Sequence, residues 1–212
     1  MRLCVVLSSL LGLVTAAWVS VVAAEPLMEV VVKRLGPNRV HVAGSTVVEA
    51  PLQDVWRVLT DYDHLSDFIP GLRMSRLSAV PPARPKRSET GGDTAQAGTL
   101  ATAPKRLLVQ EGIVRWWIIQ RKVRLVFEVD EVPPHTIRFA AVDGDFLEHR
   151  GTWRVEPRDG QARIEYEATM RPNFVLPPVV GGWLLKRQLA DSLRAIAARL
   201  EAVSARTAAT TP

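Results

Sequence analysis

Few residues in this chain combine a reactive side chain with a position from which it can act. His149 and Tyr166 stand out because strand alternation turns both inward. His149 shares a face with Leu147, Gly151, Trp153 and Val155, and Tyr166 shares one with Ala162, Ile164, Ala168 and Met170. An inward imidazole offers a hydrogen-bond partner or a proton donor. An inward phenol orients a carbonyl oxygen through its hydroxyl. The plainer readings are a partly exposed histidine near a strand end and a core tyrosine whose hydroxyl reaches the backbone. Arg115 either meets a polar ligand head or sits at the wet end of its strand. Asp61 and Asp63 end a helical pattern and read as caps before they read as acids.

The remaining inventory excludes more than it offers. His41, His64, His135 and His149 are too scattered for a spaced metal motif. The chain carries no phosphate-cradling glycine loop and no Gly-x-Ser-x-Gly elbow. Nothing signals covalent, metal or cofactor chemistry, so no cofactor and no metal are expected. The one cysteine, Cys4, lies in the N-terminal apolar run. There Arg2 is followed by uncharged residues from Leu3 to Val22, and Val22-Ala23-Ala24 precedes Glu25-Pro26. That pattern predicts a signal peptide over residues 1–24, with an uncleaved anchor as the rival. The expected destination is the periplasm. The net charge of +5 comes from scattered basic residues, which favours a solvated surface, with attraction to anionic membranes or ligands as the rival. No nucleic-acid partner is expected.

The elements that must position His149 and Tyr166 follow from apolar spacing. Val30 to Val32 and then Val40, Val42, Gly44, Thr46 and Val48 predict a hairpin around Gly36-Pro37-Asn38. Pro51 ends the second strand and opens a helix with Leu52, Val55, Trp56 and Leu59 on one face. A short helical turn through Leu65 and Phe68 closes at Pro70-Gly71, and Leu72 to Val80 reads as a strand. Residues 81–104, rich in Pro, Gly, Ala and Thr, read as a mobile loop or lid. Arg106 to Ile119 predicts a long strand with Val109, Ile113, Trp117 and Ile119 on one parity and Leu108, Val114, Trp116 and Ile118 on the other, both faces apolar near its end, and Gln120-Arg121-Lys122 its turn. Val123, Leu125, Phe127 and Val129 alternate inward, then Ile137, Phe139 and Ala141, with a hairpin turn at Asp143-Gly144-Asp145. A meander of antiparallel strands results. The last element is a helix with Leu185, Leu189, Leu193, Ile196, Leu200 and Val203 in one stripe, and residues 207–212 read as a disordered tail.

A sheet with one apolar face needs a cover, and the terminal helix has the matching stripe. The predicted class is α+β, a curled antiparallel sheet around a long C-terminal helix, with two short helices after the first strands. The stretch V-V-E-A-P-L-Q-D-V-W-R-V-L-T-D-Y-D-H-L-S-D-F-I-P-G-L (47–72), with G-D-F-L-E-H-R-G-T-W-R-V-E-P and the helix after L-P-P, resembles the START-like (helix-grip) superfamily. Its closest branch is the polyketide cyclase/dehydrase and coenzyme Q-binding group. The resemblance spans roughly residues 40–203 of a domain expected over residues 25–206.

The resemblance implies a cavity between sheet and helix that binds lipids, isoprenoid quinones or polyketides. Candidate ligand contacts from the strands are Trp117, Leu125, Phe127, Phe139, His149, Trp153, Tyr166 and Met170. Leu185 and Leu189 join them from the helix, with Val123 and Leu193 also inward. Three functions compete: a non-catalytic binding or transport protein for such a ligand, a cyclase/dehydratase-like enzyme, and a protein-interaction domain with a filled cavity. No catalytic residue is assigned. Trp116-Trp117-Ile118-Ile119 beside Arg121, Lys122 and Arg124 suits peripheral membrane contact, or is a buried strand end.

Overall fold

The computed structural model describes residues 28–78, 106–116, 119–174 and 178–210. The expected leader, the 81–104 loop and Trp117 lie outside the described residues. The chain order is β1 (Glu29–Gly36), β2 (Arg39–Val48), α1 (Leu52–Thr60), a 3-10 turn (Tyr62–His64) and α2 (Leu65–Phe68). It continues through β3 (Leu72–Ser78), β4 (Arg106–Trp116), β5 (Ile119–Val132), β6 (Thr136–Gly144), β7 (Phe146–Arg158) and β8 (Gln161–Pro172) to α3 (Pro178–Thr210).

All eight strands join one antiparallel sheet in the order β1-β2-β8-β7-β6-β5-β4-β3. The sheet is open, with β1 and β3 at its edges. On β2 the expected alternation holds: Val40, Val42, Thr46 and Val48 are buried while their neighbours are not. Pro51, at φ −60° and ψ 145°, opens α1, which buries Val55, Val58 and Leu59. On α3 the stripe buries Leu189, Leu193, Ile196 and Leu200. Burial of each such side chain contributes roughly 1.5–3 kcal/mol. α3 packs on β1, β2, α1 and α2.

Four expectations need correction. Gln120, Arg121 and Lys122 form no turn; they pair with Arg115, Val114 and Ile113 inside the β4–β5 ladder, which extends to Trp116 opposite Ile119. Their polar side chains are exposed on a continuing strand. The inward parity of β4 is that of Leu108, which is buried, and not that of Val109; Arg115, on the other parity, is exposed. Residues 143–145 make no tight hairpin. The β6–β7 ladder stops at Ala140 opposite Arg150, while β6 stays with β5 as far as Gly144 opposite Leu125. Asp145 anchors this splayed corner, donating its N–H to the Arg124 carbonyl at 2.9 Å and accepting the Arg124 N–H on its carboxylate at 2.8 Å. Finally, α3 continues to Thr210, into the expected tail.

Gly44 lets α3 reach the sheet. A Cβ there would lie 2.8 Å from Leu189 Cδ2 and 3.2 Å from the Glu29 carbonyl oxygen. Gly44→Ala is expected to destabilise the fold by about 1–3 kcal/mol in urea unfolding, and Leu189→Ala in the same chain to recover part of that loss. Strict additivity of the two substitutions would place the cause elsewhere.

Candidate functional site

Strands β4 to β8 direct apolar side chains at the underside of α3 without touching it everywhere. A cavity of about 320 Å³ remains between them. That is at the lower end of the roughly 300–1,000 Å³ of small-molecule sites. Its sheet wall includes Leu108, Val123, Leu125, Phe127, Phe139 and Met170. Its helix wall includes Leu185, Gln188, Leu189, Ser192 and Ile196, and Leu59, Leu65 and Ile69 close the side below α1 and α2. Among the described lining residues none is Asp, Glu, Lys or Arg.

The structure brings nine of the ten candidate contacts to this wall: Leu125, Phe127, Phe139, His149, Trp153, Tyr166, Met170, Leu185 and Leu189. The tenth, Trp117, lies outside the described residues. Leu193 is fully buried under the helix and is not part of the wall.

Rings from four strands form one continuous surface. Trp153 contacts Tyr166 at 4.6 Å between centroids, and Tyr166 stacks on Phe139 at 6.0 Å. Phe139 meets Phe127 edge-on at 5.4 Å, and His149 meets Phe127 at 5.1 Å and Phe139 at 5.6 Å. Phe146 and Phe174 extend the surface from His149. Gly151 makes room for this packing, since a Cβ there would lie 2.7 Å from Phe139 Cζ.

Sequence alternation missed Phe146 and Phe174. It put Leu147 inside, yet Leu147 is 66% exposed. A register shift between Phe146 and Glu148 is the cause: one extra residue flips the phase, so Phe146 and His149 both point inward. The shift is pinned from outside. Arg39 donates to both Glu148 carboxylate oxygens, at 2.8 and 2.9 Å, and Arg150 adds a third contact at 3.0 Å. The Arg39 guanidinium lowers the Glu148 carboxyl from its ordinary range and is itself raised. Asn38 holds the far end, donating to the Pro172 and Phe174 carbonyls at 2.9 and 2.8 Å. The Asn38 contact was legible only as turn chemistry, and nothing in strand alternation announces a bulge.

His149 Nε2 lies 3.4 Å from the Tyr166 hydroxyl, so the two inward polar residues form a pair. His149 Nδ1 is buried with no hydrogen-bond partner among the described residues. Burial pushes the imidazole down to about 4 and the Tyr166 phenol up. Both are therefore neutral at neutral pH. Tyr62, also on the wall and missed from sequence, is held neutral as well: burial raises it, as does its hydrogen bond to Glu131 Oε1 at 2.9 Å. Asp61 and Asp63 stay outside the wall; Asp61 holds His64 at 2.7 Å, raising that imidazole, and Asp63 accepts the Leu77 N–H at 3.2 Å. Among the described residues no group of His, Cys, Asp and Glu has the geometry of a metal site.

An apolar chamber between an open antiparallel sheet and a long C-terminal helix defines a START-like, helix-grip protein. The chain belongs to the polyketide cyclase/dehydrase and lipid transport family, whose model matches residues 48–197. A STAR-related lipid transfer protein from Xanthomonas axonopodis is similar in structure at TM-score 0.59 and 17% identity, over 82% of this chain and 93% of that one. A START superfamily protein from Mycobacterium smegmatis gives 0.57 at 12% identity, over 77% and 98%. An aromatase/cyclase from Streptomyces sp. R1128 gives 0.53 at 15% identity, over 77% and 94%. At these identities the likeness establishes the fold. No curated protein matches the chain in sequence.

The pairing of a buried imidazole with a phenol has a pH signature. His149 is depressed from 6.5 to about 4, so the unfolded chain takes up the proton first. Its contribution is fully present above pH 6.5 and is lost as pH falls toward 4. Urea unfolding is expected to show a loss of about 2 kcal/mol between about pH 8 and pH 5 that His149→Phe does not show. Identical pH slopes in the two proteins would mean that the imidazole is not held neutral.

Proposed function

We propose that the chain binds and carries a hydrophobic small molecule, of the lipid or isoprenoid quinone kind, without transforming it. The observation that carries this reading is the uncharged, aromatic-walled cavity of about 320 Å³ inside the core. A hydrophobic ligand gains dispersion contacts with a wall of this kind that is already formed. A protein-interaction domain has no need of it.

The structural neighbours include both a lipid transfer protein and an aromatase/cyclase, so the likeness does not choose between carrier and enzyme. The chemistry of the wall favours the carrier. Cyclisation and dehydration need an acid and a base converging on the substrate, each tuned near the working pH. The ionisable side chains described on the wall are His149, Tyr166 and Tyr62, and burial moves all three away from neutrality.

Export across the inner membrane is part of the same proposal. Arg2, the apolar run from Leu3 to Val22 and the small residues Ala23 and Ala24 support it. A carrier must also meet a membrane. Arg121, Lys122 and Arg124 are exposed at the start of β5, where Arg121 lies 4.3 Å above the ring of Phe174, a residue of the cavity wall. That places basic charge beside the chamber and supports contact with anionic lipid.

Native mass spectrometry of the protein from its own host, followed by organic extraction, tests this. A stoichiometric lipid or isoprenoid is the expected outcome. An empty protein that also takes up nothing from a quinone and phospholipid panel would remove the carrier reading, and turnover of a polyketide-like substrate would replace it with the enzyme.

A further inference from the structure

The carrier reading leaves the ligand's polar end undefined. We infer that this end is an uncharged oxygen function that accepts a hydrogen bond from the His149–Tyr166 pair. The inference rests on the binding reading and narrows it to one class: neutral ketones, esters, ethers or alcohols, with ionised carboxylates and phosphates excluded from the chamber.

The first argument is the absence of compensation. No charged side chain is present among the described wall residues. Transfer of an ionised head from water into such a wall costs several kcal/mol unless a counter-charge or a full set of hydrogen bonds meets it. The other polar side chains on the wall are mostly committed. Tyr62 donates to Glu131, Gln110 donates to Ser75 Oγ at 3.3 Å, and Ser192 donates to the Gln188 carbonyl at 2.9 Å.

The second argument is a proton count. The neutral imidazole holds one N–H and the phenol one O–H. One of these two hydrogens lies between Nε2 and the Tyr166 oxygen, 3.4 Å apart. If Tyr166 donates it, His149 keeps its hydrogen on Nδ1, which has no partner among the described residues. If His149 donates it, the Tyr166 hydroxyl keeps its own. Either way one donor hydrogen is unspent in a buried apolar setting, where an unmade hydrogen bond costs about 1–3 kcal/mol. An acceptor oxygen on the ligand removes that cost by selecting the arrangement in which His149 donates and the Tyr166 hydroxyl turns to the ligand, since Nδ1 itself has no accessible surface. A pure hydrocarbon leaves it in place.

The third argument is geometry. Phe127, Phe139 and Phe146 surround His149, and Trp153 adjoins Tyr166. The pair is thus the polar point of an aromatic surface, which sets where the ligand's oxygen goes and leaves the rest of the molecule to apolar contact.

Displacement of the neutral dye Nile red by 2-dodecanone, 1-dodecanol and dodecanoate tests this. At about pH 8 the ketone and the alcohol are expected to act at concentrations about tenfold below dodecanoate or lower. The double variant Tyr166→Phe, His149→Phe, which removes both donors and keeps an aromatic ring at each position, is expected to weaken the ketone about tenfold and to leave dodecanoate unchanged. Wild-type protein that binds dodecanoate as tightly as the ketone overturns the inference and leaves the carrier reading standing. So does a full wild-type preference in the double variant. The wild-type comparison decides the matter even if the double variant does not fold. Failure of the wild-type protein to take up the dye or any of the three probes overturns the carrier reading, and the inference with it.

Discussion

The contact between α3 and one side of the sheet is the constraint on which the rest depends. The stripe from Leu189 to Leu200 packs over β1 and β2, and Gly44 brings the helix close enough for Leu189 to meet the backbone of β2. The right-handed twist of an open antiparallel sheet then carries its other strands away from a straight helix. β4 to β7 face α3 across a gap that their own side chains do not fill. The cavity follows from a stiff rod laid against one side of a curled surface, with α1 and α2 closing the remaining side.

This geometry explains why the wall is aromatic. A residue that must span a widening gap needs reach, and Phe, Tyr and Trp supply it with few rotatable bonds. Phe127, Phe139, Trp153 and Tyr166 meet edge-on, stacked or tilted, supporting one another from the sheet side. Small residues are the complement: Gly151 accepts the Phe139 ring from below. The polar pair is embedded in this surface, so its protonation follows from the packing. Burial shifts both the imidazole and the phenol further toward the neutral form, with no charged neighbour among the causes.

Period-two alternation made most of this site legible before the structure. The β2–β8 and β4–β5 pairings each keep one register throughout, and on β2, β5 and β8 the inward residues are those the pattern names. The stripe on α3 was equally plain, because 3.6-residue periodicity over many turns admits one answer. The failures share a physical cause. Alternation reports a face only while the phase is unbroken, and the shift between Phe146 and Glu148 breaks it. What holds the shift is an ion pair to Arg39, which lies 109 residues away and leaves no local trace. On β4 both parities are apolar near the end, so the pattern carried no phase, and the strand's face was decided by pairing with β5. The run Gln120-Arg121-Lys122 looked like a turn because it is polar, yet a strand at the end of a hairpin can be polar where its side chains meet solvent.

The fold serves carriers and cyclases alike, so the difference between them must lie in the few ionisable groups that reach the chamber. A catalyst has to keep a proton exchangeable at the point of reaction, which requires a charged partner or water beside the buried acid or base. Among the described residues His149 is met by the rings of Phe127, Phe139 and Phe146 and by the Tyr166 hydroxyl. The charges nearest to it in sequence, Glu148 and Arg150, pair with each other and with Arg39 on the other face of the sheet. Alternation in phase with Trp153 turns His149 inward and keeps Glu148 and its countercharges outside, and the shift between Phe146 and Glu148 adds Phe146 to the inner face. The phase of β7 therefore puts a hydrogen-bonding group on the chamber wall and its charged sequence neighbours on the opposite face of the sheet.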